Sequence, residues 1–226
     1  MNFFAENLKV FKKVFLPLFA LVVLSNNIDQ YLNLKMENAL RDPLGVQAQV
    51  IYYGFFSILS SIFFPVLLIS VTLFAFANLE NLQKSLQDFW ARYLNQMYIE
   101  TLRSWGKTLL WSLLFILPGV WKYIQYTMVP FVVTSSKDYD EGRLDALKGS
   151  ALVVRRHWFK IIAILILFHL LIPGLLTTLF DAYRLIWKTP VQSLFLSALD
   201  AYLLLFSTHI LFNIFRSEVK RHDAHV

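Results

Sequence analysis

Apolar residues concentrate in five stretches of the chain, at 14–24, about 50–77, about 107–135, 159–180 and 190–215. Most of them approach or exceed the roughly 20 residues that a membrane-spanning helix needs. The first is short, so a span there draws on Val10 and Phe11 below it and on Ile28, Tyr31 and Leu32 above it, with lysines snorkelling to the interface. None alternates with the period of a strand or carries the regular turns of a barrel, so the predicted class is all-α, a polytopic helical bundle. Between the stretches, Leu79, Leu82, Leu86, Phe89, Trp90, Tyr93, Leu94, Met97, Tyr98 and Leu102 recur at three-four spacing and predict an amphipathic helix. A second such stripe, Leu144, Leu147, Ala151, Val154 and Trp158, follows an Asp-rich start suited to a helix N-terminus. The pattern predicts one membrane domain over 1–226, with helical segments at about 8–32, 48–78, 105–118, 120–135, 158–180 and 190–216. Amphipathic linkers fill 79–104 and 138–157.

Whether 107–135 crosses once or reverses is decided by charge. Lys9, Lys12 and Lys13 flank the first stretch, and Lys84, Arg92, Arg103 and Lys107 precede the third. Lys137, Arg143, Lys148, Arg155, Arg156 and Lys160 follow it, and Arg216, Lys220 and Arg221 close the chain. A single crossing would set these clusters on opposite sides, against the positive-inside rule; a reversal at Pro118-Gly119 puts all four on one side, with both termini cytoplasmic. "RSWGKTLLWSLLFILPG" and "RRHWFKIIAILILFHLLIPG" share a basic residue, Trp, Lys two places on, an apolar run and Pro-Gly, which predicts parallel helices with a return leg between them. Lys107 to Pro118 would rise only about 16 Å as a helix, against roughly 30 Å of hydrocarbon. Either the hairpin is re-entrant, or its first leg starts within the preceding linker. In both cases it is expected to pack inside the other helices.

Composition agrees with this class: 57% of residues are hydrophobic and 16% aromatic, and the mean hydropathy is +0.54, beyond the roughly 45–50% apolar content of soluble domains. The net charge of +6 therefore reads as orientation and contact with anionic headgroups rather than nucleic-acid binding. Arg155, Arg156, His157 and Lys160 are the predicted headgroup contacts. With no cysteine, disulfides, thiolate nucleophiles and Cys-based metal or haem attachment are excluded. The run after Lys12 and Lys13 has the length of a signal-peptide core, but no A-x-A-like site follows, so an uncleaved anchor is expected.

"LPGVWKYIQYTMVPFVV" followed by "EGRLDALKGSALVVRRHWFK" resembles the signature of a bacterial family of small polytopic membrane proteins, related to the membrane domain fused to some glycerophosphodiester phosphodiesterases. The matching positions are Leu117, Pro118, Gly119, Tyr126, Pro130, Ala146, Leu147, Ser150, His157 and Trp158, and the likeness covers about 100–165. Arg155-Arg156 stands where the family usually has a glycine. The resemblance implies a six-helix protein of the bacterial cytoplasmic (inner) membrane, in a family whose members mostly lack an established activity.

No H-E-x-x-H, G-x-S-x-G or P-loop occurs, and the phosphodiesterase barrel is absent, so no catalytic, cofactor or metal residues are predicted. His222 and His225 read as tail residues. Asp181 and Asp200 each sit in an Asp-Ala-Tyr triplet, but at different expected depths. Ionisable groups at membrane depth are the best functional pointers. Asp200 and His169 are expected at matching depths in antiparallel helices, facing each other with Lys122, Gln125 and Tyr126 nearby. Such a cluster is either a hydrogen-bonded clamp or a proton or substrate site. Two main functions follow: a non-catalytic scaffold or accessory subunit that binds lipids and a protein partner at its cytoplasmic face, or a small permease or lipid-handling transporter. An intramembrane enzyme is the third alternative.

Overall fold

The computed structural model describes residues 3–41, 47–77, 85–180 and 185–223, and among these all regular structure is helical. The elements are α1 (Phe3–Arg41), α2 (Gln47–Ala77), α3 (Leu86–Leu114), α4 (Ile116–Tyr126), α5 (Val129–Ser135), α6 (Lys137–Asp140), α7 (Ala146–Leu165), α8 (Ile172–Leu179) and α9 (Pro190–Asp223). A π-helical segment, Ile166–Leu171, joins α7 to α8. Among the described residues, four stretches are long and apolar enough to cross a membrane: Val10–Arg41, Ala48–Phe76, Ala146–Leu176 and Pro190–Val219. The predicted segments at 105–118 and 120–135 are not among them.

Two cores hold the helices together. In the first, Val10, Val14, Leu18 and Val22 form one stripe of α1 and meet Val71 and Phe76 of α2 and Ala201 and Leu205 of α9. The second gathers Leu73 of α2, Met97 of α3, Phe131 of α5, Val154 of α7 and Phe215 of α9. Both cores are close-packed, and their contacts act through dispersion.

The linker 79–104 does not end as a separate surface element. From Leu86 it runs without interruption into the following segment, giving α3 its 29 residues and a length of about 43 Å. Ser85 starts it: its Oγ accepts from the Asp88 amide at 3.1 Å and donates to the Asp88 carboxylate at 2.8 Å. Most of the described part of the apolar stripe is occupied by the bundle itself, with Phe89 and Met97 buried and Trp90, Tyr93, Leu94 and Tyr98 packed beside them, while Leu102 is exposed and Leu79 and Leu82 lie outside the described residues. The Tyr98 hydroxyl ties the stripe to α2, donating to the Phe63 carbonyl at 2.9 Å.

The helix after this stripe breaks at Phe115, three residues before Pro118-Gly119. Phe115 is extended (φ −156°, ψ 142°), and its N–H still closes α3 on the Trp111 carbonyl. Pro118 lies in the first turn of α4, where a missing N–H costs nothing. Gly119 serves close approach, because a Cβ there would stand 2.0 Å from Ser112 Oγ and 2.8 Å from Ser112 Cα. The surrounding tip is not packed inside the other helices: Leu113, Phe115, Ile116 and Leu117 are all more than two-thirds exposed.

The linker 138–157 is likewise drawn into the core. Asp145 caps α7, accepting from the Leu147 and Lys148 amides at 3.0 and 3.1 Å, and Ala146, Leu147, Gly149, Ser150, Val153 and Val154 are buried. At His157 the backbone leaves helical values (φ −117°, ψ 22°). Beyond that kink Phe159, Leu170, Leu175 and Leu179 are exposed, and little of the stretch is covered by protein.

Candidate functional site

Among the described residues, three places with polar side chains bear on the sites expected from the sequence. The first lies where α1 passes α2 and α9. Asn26 Nδ2 donates to Asp200 Oδ2 at 3.2 Å and reaches Ser197 Oγ at 3.4 Å. One turn on, Asp29 accepts from Ser60 Oγ of α2 and from Ser25 Oγ at 3.4 Å. Asn27 holds the chain before α9, its Oδ1 accepting from the Ile186 amide at 2.9 Å. The sequence "SNNID" thus fastens α1 to two other helices and a loop. Its signal was visible as four hydrogen-bonding residues in five positions within an apolar helix.

The second place is the α4–α5 junction. Lys122 Nζ donates to Gln125 Oε1 at 3.0 Å and lies 5.6 Å above the Trp111 ring and 5.8 Å from that of Tyr126. Behind it, buried Ser150 of α7 closes the break between the helices: its Oγ donates to the Gln125 carbonyl at 2.6 Å and accepts from the Met128 amide at 3.1 Å. Lys122, Gln125 and Tyr126 therefore meet one another at this junction. His169 joins neither group; it is exposed on the π segment, and no hydrogen bond or ion pair links it to Asp200 among the described residues. Matching depth does not fix which way a side chain points around its helix, and the acceptor at Asp200 is served by Asn26. Asp181 lies outside the described residues.

The third place gathers the basic linkers. Arg103 of α3 binds Asp145 at 2.6 Å, Arg92 stands 3.9 Å from Asp140, and Arg143 binds Asp138 at 2.8 Å. Burial raises the Asp145 carboxyl, but the Lys148 and Leu147 amides and the Arg103 guanidinium outweigh it and hold the group below its ordinary value. Arg156 and His157 both bind Glu218 near the end of α9, the latter at 3.0 Å. Arg155 and Lys160 are exposed and make no ion pair among the described residues. A cavity of about 860 Å³ opens here between α5, α6, α7 and α9.

Searches of protein-family models, curated proteins and solved structures return no match. In the first place, each acidic group contacts a neutral hydrogen-bond donor from another helix, which suits the joining of helices. In the third, paired and unpaired cations surround an open groove, which suits an anionic ligand.

Proposed function

We propose that this chain is a non-catalytic, multi-pass protein of the bacterial cytoplasmic membrane, acting as a scaffold or accessory subunit whose cytoplasmic face binds a partner. In this reading α3 and α4–α5 form a membrane-inserted hairpin, the chain has six helical segments, and both termini face the cytoplasm. The contacts of Arg92 with Asp140 and Arg103 with Asp145 support that orientation, since they hold two basic linkers on one side of the bundle. At the far end, Tyr31 meets Trp187 edge-on at 6.2 Å and carries Lys35 above its ring, which suits an outer interfacial belt.

The observation that carries the scaffold reading is the use made of Asn26, Asp29, Ser60, Ser197 and Asp200. They bond to one another across three helices, which makes them clamps of helix register rather than groups held ready for a substrate. Replacing Asp200 by Asn or Leu tests this. The expected outcome is a lower yield of folded protein, most for Leu, with no proton-coupled flux in proteoliposomes loaded with a pH-sensitive dye for either the variants or the parent protein. A well-folded Asp200→Asn protein that loses a flux shown by the parent would establish the permease instead.

A further inference from the structure

The groove between α5, α6, α7 and α9 combines two chemistries in one space of about 860 Å³. Its rim carries Lys137, Arg143, Arg155 and Arg156 against two acids, Asp138 and Glu218. Both acids are already engaged, Asp138 by Arg143 and Glu218 by Arg156 and His157. Lys137 and Arg155 are exposed and have no ionic partner among the described residues. The rim is thus left with two positive charges in excess.

Its walls are apolar. Val132, Val153 and Phe215 form a buried floor, while Leu152 stands 61% exposed at the mouth beside Leu144 and Val219. Gly149 lets this wall close up, since a Cβ there would come within 2.9 Å of Leu144 Cδ2 and 3.2 Å of Val132 Cγ1. An inorganic phosphate or a soluble anion needs the rim but gains nothing from the walls. An amphiphile uses both: a phosphodiester between Lys137 and Arg155, and an acyl chain along Leu152 and Val153. The volume also suits a ligand larger than a bare anion.

We propose that this groove is a binding site for a single anionic glycerophospholipid, held by its phosphodiester at Lys137 and Arg155 and by an acyl chain against Leu152. The site deepens the scaffold reading by naming its lipid ligand, and it rests on the proposed orientation only for the leaflet, which is the cytoplasmic one. Phosphatidylglycerol is the probe. The full chain, delipidated in mild detergent, is titrated with phosphatidylglycerol or phosphatidylcholine, and retained lipid is counted by native mass spectrometry. One phosphatidylglycerol is expected to be retained, with at least roughly tenfold preference over phosphatidylcholine, and excess inorganic phosphate should not displace it.

The double variant Lys137→Gln/Arg155→Gln should weaken retention roughly tenfold or more, and Leu152→Asp should abolish it. Lys35→Gln/Lys188→Gln, remote from the groove, should leave it unchanged. A diazirine on the acyl chain of phosphatidylglycerol, photolysed in the parent protein, should label the peptide containing Leu152, so the site is testable even where a variant fails to fold. Equal retention of both lipids, displacement by phosphate, parental retention by the rim variant or labelling elsewhere overturns the assignment, and an acidic protein segment as the occupant would show as no lipid retention. The side of the membrane is read separately by thiol labelling, so an inverted orientation would change the leaflet without touching the site.

Discussion

At the scale of single residues, two side chains govern how α7 enters the core. Asp145 caps its first turn and binds Arg103. Losing an N-cap costs about 1 kcal/mol, and a half-exposed ion pair adds up to about 1 kcal/mol more. Asp145→Ala should therefore lower the thermal midpoint in detergent, while Asp145→Asn, which still caps, should lower it less. The pH dependence has a definite sign. The folded carboxyl lies below its unfolded value of about 3.9, so its contribution is complete above about pH 4 and is lost as pH falls through the folded value. Acidification from about pH 5 to 3 should thus destabilise the parent protein more than Asp145→Asn, as unfolding midpoints across that range would report. Ser150 acts differently. It is fully buried and serves one carbonyl and one amide where α4 gives way to α5. Ser150→Ala strands both, at an expected cost of about 1–3 kcal/mol, and a midpoint within error of the parent would remove this account of the junction.

At the scale of elements, the contact between α3 and α4 depends on one missing side chain. Gly119→Ala would drive a Cβ into Ser112, including its backbone, whereas Gly106 and Gly174 have open space around the same position. Overpacking costs typically about 1–3 kcal/mol; an alanine in an open helical site gains up to about 1 kcal/mol. The three alanine variants should therefore split in sign. Ser112→Gly should rescue Gly119→Ala in part, because the Cα stays within 2.8 Å, and strictly additive effects in this double-mutant cycle would rule out the contact. Residues of this kind also show what was legible beforehand. The apolar runs and the stripe from Leu86 to Tyr98 could be read from spacing, because periodicity within one helix is a local property. Pro118-Gly119 predicts the break because these residue types punctuate a chain, yet the extended residue is Phe115. The Pro fits a first turn, and the Gly answers a neighbour seven positions back. Asn26 and Asp200 are 174 residues apart. Their pairing depends on the rotation of two helices about their axes, which hydropathy does not encode; depth alone points to His169 instead.

At the scale of the whole molecule, ion pairs and positive charge reinforce one another. Arg92–Asp140 and Arg103–Asp145 join the first turns and the middle of α3 to the segment before α7, and Arg156 and His157 join α7 to the end of α9. In the three arginine pairs the guanidinium is half-exposed or more, and such pairs are each worth at most about 1 kcal/mol; only the His157–Glu218 contact is largely covered, so the ion pairs do not by themselves hold the bundle together. Their bearing is on the proposed orientation: if packing holds the linkers together at one membrane face, every basic residue among them counts toward the same side. The absence of cysteine makes this open to direct measurement without background. Single cysteines at Gln96 and Glu141, both exposed, should react alike with a membrane-impermeant thiol reagent, only after the cells are opened. Cysteines at Asn38 and Lys188, exposed near the end of α1 and just before α9, should react in intact cells. If Gln96 and Glu141 report opposite sides, the chain crosses the membrane between them and the hairpin does not exist. If they agree with each other but react from outside, the hairpin stands and the molecule is inverted, with the groove of Lys137 and Arg155 facing the other leaflet.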